Sequence, residues 1–236
     1  MLGRAMKTSS TSSEGFLGKS PRVRPRATSP VGKKETEVSN GNVLIGIALD
    51  ESGSMQPVTQ ATIEGVNAFL GEQREQDGTA RISITLFNTT MKVHSAALDS
   101  RELADFHLKS YRPGGGTALF DAVGVTIKGM EKWLDNNPGY DGDKLVVIWT
   151  DGMENSSRTF NQQSVNALIE EKKAEGWNFQ FMGAGDGFLS AEHFTAIAPE
   201  FKHGFANDAV GNHAAYAAFS ASTTNLRGSG SYKGVS

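Results

Sequence analysis

From position 41 onward, short uncharged apolar runs alternate with longer stretches whose apolar residues recur every three or four positions. Residues 43–49 (VLIGIAL) and 145–150 (LVVIWT) carry no charge, the pattern of strands buried on both faces. Residues 81–87 (RISITLF) and 91–98 are further strands, and Asn88-Thr89-Thr90 between them predicts a hairpin. A strand over 178–182 completes the set. Helical spacing is clear over 57–76, where Ile63, Val66, Phe69 and Leu70 share a stripe. It is clear again over 118–134, through Leu119, Val123, Ile127, Met130 and Leu134. A third helix covers 162–175 and stops at Gly176, and shorter ones are expected over 189–197 and 209–222.

Strands that alternate with helices of ten to twenty residues predict an α/β fold. The expected architecture is a doubly wound, mostly parallel, Rossmann-like sheet with helices on both faces, the hairpin adding one antiparallel edge strand. In such sheets ligands bind outside the carboxyl ends of the strands, where the strand order reverses.

Charge divides the chain unevenly. Its 236 residues have a net charge of −3. Residues 1–40, however, hold eight Lys and Arg against three Glu, a net of +5, which leaves 15 basic against 23 acidic residues in the rest, a net of −8. A Ser- and Pro-rich basic arm therefore precedes an acidic body. The arm has too few apolar residues to fold alone, and two readings stay open: a solvated tail or translated leader, or a segment whose Arg22, Arg24, Arg26, Lys33 and Lys34 bind nucleic acid or an acidic protein surface. The expected organisation is an arm over 1–40, a domain over 41–222 and a flexible Gly/Ser-rich tail over 223–236.

The absence of Cys excludes disulfide scaffolds, thiol nucleophiles and cysteine-ligated metals. No apolar run approaches the ~20 residues of a membrane span. The first forty residues contain no apolar export segment, so an intracellular or virion setting is expected.

Candidate chemistry gathers at the predicted strand ends. Asp50-Glu51-Ser52-Gly53-Ser54 follows the first strand, Asp151-Gly152 follows LVVIWT, and Gly114-Gly115-Gly116-Thr117 opens the second helix. Two carboxylates and three hydroxyls suit a hard divalent cation, which takes oxygen donors and keeps several waters. The plainer reading makes Asp50, Ser52 and Ser54 caps of the helix near Pro57, which accounts for neither Asp151 nor the glycine-rich approach to Thr117. Other chemistries find less support. Gly183-Ala184-Gly185-Asp186-Gly187 lacks the spacing of a dinucleotide loop, and neither a Gly-Lys-Ser/Thr phosphate loop nor a Gly-x-Ser-x-Gly elbow is present. A nucleophilic-aspartate enzyme would need a second carboxylate two residues after Asp50, where Ser52 stands. The five histidines show no metal-ligand spacing.

Asp50-x-Ser52-x-Ser54, followed by Thr117 and Asp151, resembles the metal-ion-dependent adhesion site of von Willebrand factor A domains, with the resemblance running over about 41–222. Segments 111–123 (YRPGGGTALFDAV), 150–158 (TDGMENSSR), 176–185 (GWNFQFMGAG) and 216–222 are similar to small stand-alone bacterial and phage proteins of this kind. The resemblance implies Mg²⁺ or Mn²⁺ held by Ser52, Ser54 and Thr117, with Asp50 and Asp151 acting largely through water. It also implies a non-enzymatic module whose protein partner supplies an Asp or Glu as the last ligand, Thr117 being the ligand that switches between direct and water-mediated contact. Met55, Phe120 and Glu154, next to these loops, are candidates for the partner-binding rim. Two other roles stay open: a structural or assembly protein anchored by its arm, and an accessory subunit of an ATPase.

Overall fold

The computed structural model describes residues 40–234. Arg22, Arg24, Arg26, Lys33 and Lys34, to which the arm's expected binding was assigned, lie outside the described residues.

The chain runs β1 (Val43–Asp50), α1 (Thr59–Glu75), β2 (Ala80–Phe87), β3 (Met91–Asp99), α2 (Leu119–Asp135), β4 (Asp143–Thr150), α3 (Gln162–Ala174), β5 (Asn178–Ala184), β6 (Lys202–Phe205) and α4 (Ala209–Ser229). The six strands form one sheet in the order β3-β2-β1-β4-β5-β6. All neighbours are parallel except β2 and β3, the expected antiparallel edge pair. The order reverses between β1 and β4, which pair in register from Val43↔Asp143 to Leu49↔Trp149.

Every residue of β1 is buried, because alternate side chains enter two different cores. Val43, Ile45, Ile47 and Leu49 pack with α1 and α4 on one face. Leu44 and Ala48 pack with α2 and α3 on the other. Gly46 lies between these two, and a side chain there would collide with Met130 and Thr126 of α2, so its bareness lets α2 lie against the sheet. On the opposite face Trp149 stacks on Tyr216 of α4 at a centroid distance of 3.8 Å. Among the described residues, no helix is long and apolar enough to cross a membrane.

Three parts of the sequence reading change. The helix expected over 189–197 is replaced by a 3₁₀ stretch at Gly185–His193. The short strand β6, KHGF, was too brief and polar to announce itself. The tail expected over 223–236 is packed structure as far as residue 234. Helix α4 continues to Ser229, capped by Gly230 at φ 64°, a left-handed conformation that glycine adopts without strain. What extends it is Arg227, whose buried guanidinium donates to the carbonyls of Gly41, Gln73 and Asp77 and to Gln73 Oε1 at 2.8–3.0 Å. Beyond the cap, the Tyr232 hydroxyl donates to Gln180 Oε1 at 2.9 Å.

Candidate metal-binding site

The reversal between β1 and β4 places Asp50 and Asp151 on adjacent strand ends. Asp50 is wholly buried. Its Oδ1 accepts from the Ser52 N–H at 2.6 Å and its Oδ2 from the Thr150 hydroxyl at 2.5 Å. The Tyr111 hydroxyl donates to its main-chain carbonyl at 2.6 Å. Burial pushes the Asp50 carboxyl up to about 6, outweighing the Thr150 and Ser52 hydrogen bonds that favour its ionised form.

The Ser54 hydroxyl crosses to Asp151 Oδ1 at 2.5 Å, and Ser52 Oγ lies 3.1 Å from Ser54 Oγ. Asp151 Oδ2 accepts from Asn207 Nδ2 at 3.0 Å. Thr117 closes the cluster through Gly152. A β-carbon at residue 152 would stand 2.8 Å from Thr117 Oγ1 and 3.4 Å from Asp50 Oδ2, so the bare glycine keeps the space between hydroxyl and carboxylate open. Asp50, Ser52, Ser54, Thr117 and Asp151 therefore converge on one small volume. Ser52 opens the 3₁₀ turn Gly53–Val58 without a side-chain capping bond, so its hydroxyl is not spent on that role.

The donor set is all oxygen, with two carboxylates and three hydroxyls. Among the described residues no group of three His, Asp or Glu is placed to hold a metal ion. Such a set fits a hard dication that keeps part of its water shell, and two carboxylates leave that ion nearly neutralised. The buried Asp50, short of donors for its charge, is the strongest sign of fit.

The supporting loops are tied on several sides. Gly53 N–H donates to the Gly115 carbonyl at 3.1 Å, Gly114 N–H to the Glu51 carbonyl at 2.9 Å and Gly116 N–H to Thr89 Oγ1 at 2.9 Å. Gly115 has φ 82°, the one position of this loop in the left-handed region. Thr117 is clamped by Asn155, whose Oδ1 accepts its N–H at 2.9 Å and whose N–H donates to its carbonyl at 3.0 Å.

The expected rim is not where the sequence placed it. Met55 is 1% exposed and packs into the α1 core. Phe120 is also buried, edge-on to Phe194 at 5.8 Å, because the first turn of α2 faces the sheet. Glu154 turns inward, accepting from the N–H groups of Phe120, Ser156 and Ser157 and from the Ser157 hydroxyl at 2.7–2.9 Å. These three side chains are therefore corrected from partner contacts to supports of the fold. Glu51, too, is engaged, accepting from the Arg112 N–H at 2.5 Å.

Sequence reasoning missed Thr150, Asn155, Ser190 and Asn207. Thr150 left a faint signal as the one hydroxyl in LVVIWT, next to Asp151. Ser190, which donates to the Gly152 carbonyl at 3.0 Å, and Asn207 come from loops remote in sequence and left none. Gly187 is a further support, since a β-carbon there would lie 2.5 Å from Asp151 Cα.

No family model and no curated protein sequence matches the chain. Solved structures do match it. Proximal thread matrix protein 1 from the mussel byssus, with a zinc-occupied adhesion-site motif, aligns at 15% identity and a TM-score of 0.55, over 80% of this chain and 48% of its own. The chain thus spans about half the length of that neighbour. Manganese-loaded Plasmodium vivax TRAP protein aligns at 19% identity and a TM-score of 0.52, over 75% of this chain and 73% of its own. The SpRpn10 VWA domain aligns at 11% identity and a TM-score of 0.54, with 74% of this chain covering 92% of that domain. These likenesses, with the β3-β2-β1-β4-β5-β6 sheet and its helices on both faces, identify the chain as a protein with the von Willebrand factor A fold.

Proposed function

We propose that this protein is a non-enzymatic, divalent-cation-dependent protein-binding module. Ser52, Ser54 and Thr117 hold Mg²⁺ or Mn²⁺, and Asp50 and Asp151 accept hydrogen bonds from its waters. A partner's Asp or Glu completes the shell. The observation that carries this reading is the convergence of three separate loops through the Ser52–Ser54–Asp151 contacts and the Gly152 opening onto Thr117 and Asp50. Two neighbours of the same fold, named as manganese-loaded and zinc-occupied, lend support from outside the chain.

A single dication opposite two carboxylates leaves room for an incoming anion without large repulsion, and in a buried setting that attraction is stronger than in bulk water. The role needs no nucleophile or general acid.

The test is the melting temperature of the full chain with Mg²⁺, with Mn²⁺ and with EDTA, for wild type and Asp151→Ala. A metal-dependent rise in wild type alone is expected. Equal melting in all conditions would overturn metal binding. Capture of a partner by wild type with metal, lost with EDTA and in Asp151→Ala, would extend the result to the clasp.

A further inference from the structure

Helices α1 and α4 pack on the same face of the sheet, and a groove of about 210 Å³ lies between them. Its floor is apolar. A side chain at Gly65 would collide with the Tyr216 ring, so the bare glycine lets α4 close on α1 there, and Phe69 stacks on Phe219 at a centroid distance of 4.8 Å. Ala68 and Ala217, both exposed at the edges of the groove, are too short to cover that floor.

The rim is acidic. Glu64, Ala68 and Glu72 stand at i, i+4 and i+8 along one line of α1, and both glutamates are exposed. Glu72 Oε2 accepts from the Ser220 hydroxyl of α4. Glu64 Oε1 accepts from Gln60 Nε2 at 2.8 Å, and its Oε2 faces His213 Nε2 at 3.1 Å. Among the described residues no Lys or Arg pairs with either carboxylate, and none lines the groove.

Size and chemistry narrow the occupant. Pockets that take a whole small ligand usually measure about 300–1,000 Å³, whereas this one suits a single long side chain. An apolar trough that ends at two carboxylates matches a methylene stem with a cationic head. A free amine would lose all its translational freedom for two exposed charge contacts, each worth little, and a side chain on an already docked polypeptide would not. The same rim repels an anionic lipid surface or a nucleic acid.

We propose that the groove between α1 and α4 receives an Arg or Lys side chain of a partner polypeptide. The stem lies along Ala68, Phe69 and Ala217 and is removed from water there, while the head donates to Glu72 and Glu64. The groove shares no residue with the metal cluster, so this contact forms whether or not a cation is bound.

The test is selection from a displayed library of random peptides on immobilised full chain in EDTA, with counter-selection on Glu64→Gln/Glu72→Gln, whose changes lie at exposed positions. Winners should carry an Arg or Lys, and a synthesised winner should bind about tenfold more weakly once that residue is replaced by Gln. The same loss is expected against Ala217→Leu, where a good helix former at an exposed position fills the groove, and added Mn²⁺ should leave the affinity unchanged. No enrichment, winners without a cation, or equal binding to Ala217→Leu would overturn the proposal. Agmatine that displaced a winner at equal affinity would make this a site for a free amine and overturn the polypeptide assignment.

Discussion

Two pairs of acidic residues, Asp121 with Glu154 and Asp50 with Asp151, are used by the fold in opposite ways. Asp121 and Glu154 are saturated by main-chain donors: Asp121 takes the N–H groups of Arg158, Thr159 and Phe160 at 2.6–2.9 Å, and Glu154 takes three others and a hydroxyl. Asp50 and Asp151 receive fewer and mostly side-chain donors. A carboxylate ringed by main-chain N–H groups is a structural knot, with its charge spent. One that is buried beside hydroxyls keeps charge in reserve for a cation. Residue type alone does not separate the two cases, whereas the donors do.

The sharpest break of this contrast is Asp121→Ala. It would leave three N–H groups of the 158–160 loop without acceptors and should cost about 4 kcal/mol of unfolding free energy, measured by denaturant titration. Because the 152–160 loop carries the clamp on Thr117, metal response should weaken as well. A loss below 1 kcal/mol would make Asp121 as dispensable to the fold as Asp50 is expected to be.

Asp50 should behave in the reverse sense. Its folded carboxyl, raised from 3.8 to about 6, binds its proton more tightly than the unfolded chain does. Ionisation above about pH 6 therefore opposes folding, and the metal-free protein should gain stability as pH falls from about 7 towards 4, by about 3 kcal/mol in all. Asp50→Asn, neutral throughout, should flatten that profile and abolish the melting response to Mn²⁺. A metal-free wild type that loses stability over the same range would contradict the assignment.

Gly187→Ala probes how the Asp151 loop is held. The new methyl has no room against the Asp151 backbone, and a cost of about 2 kcal/mol is expected, with a weaker metal response. Smaller still is Asn207→Ala, which removes one donor from an exposed residue at the rim of the site. About 1 kcal/mol should be lost from the metal-free protein, with a few-fold change in Mn²⁺ affinity by calorimetry. If Asn207→Ala proved the larger of the two, the donor would matter more than the backbone fit.

Much of this molecule was legible in its sequence, for identifiable reasons. The apolar runs of β1 and β4 and the spaced stripes of α1 and α2 report burial, which the solvent imposes on each element through its own residues. The order of strand and helix then limits the sheet to few topologies, and the five oxygen donors fall beside strand ends because the chain turns there. What the sequence did not disclose depends on partners distant along the chain. Met55 and Phe120 read equally well as rim or core until the packing of α1 and α2 put them inside. Glu154 read as a carboxylate of the partner-binding rim until the loop folded around it. Residues 223–236 read as a fraying tail because glycine and serine disfavour a helix locally, but four carbonyl-type acceptors from two distant segments, Gly41 and the stretch from Gln73 to Asp77, hold Arg227 and carry α4 through. Periodicity and turn chemistry are local quantities written in consecutive residues. Which side chain fills a given donor or hollow is decided by contacts between segments far apart, and only the tertiary structure brings those together.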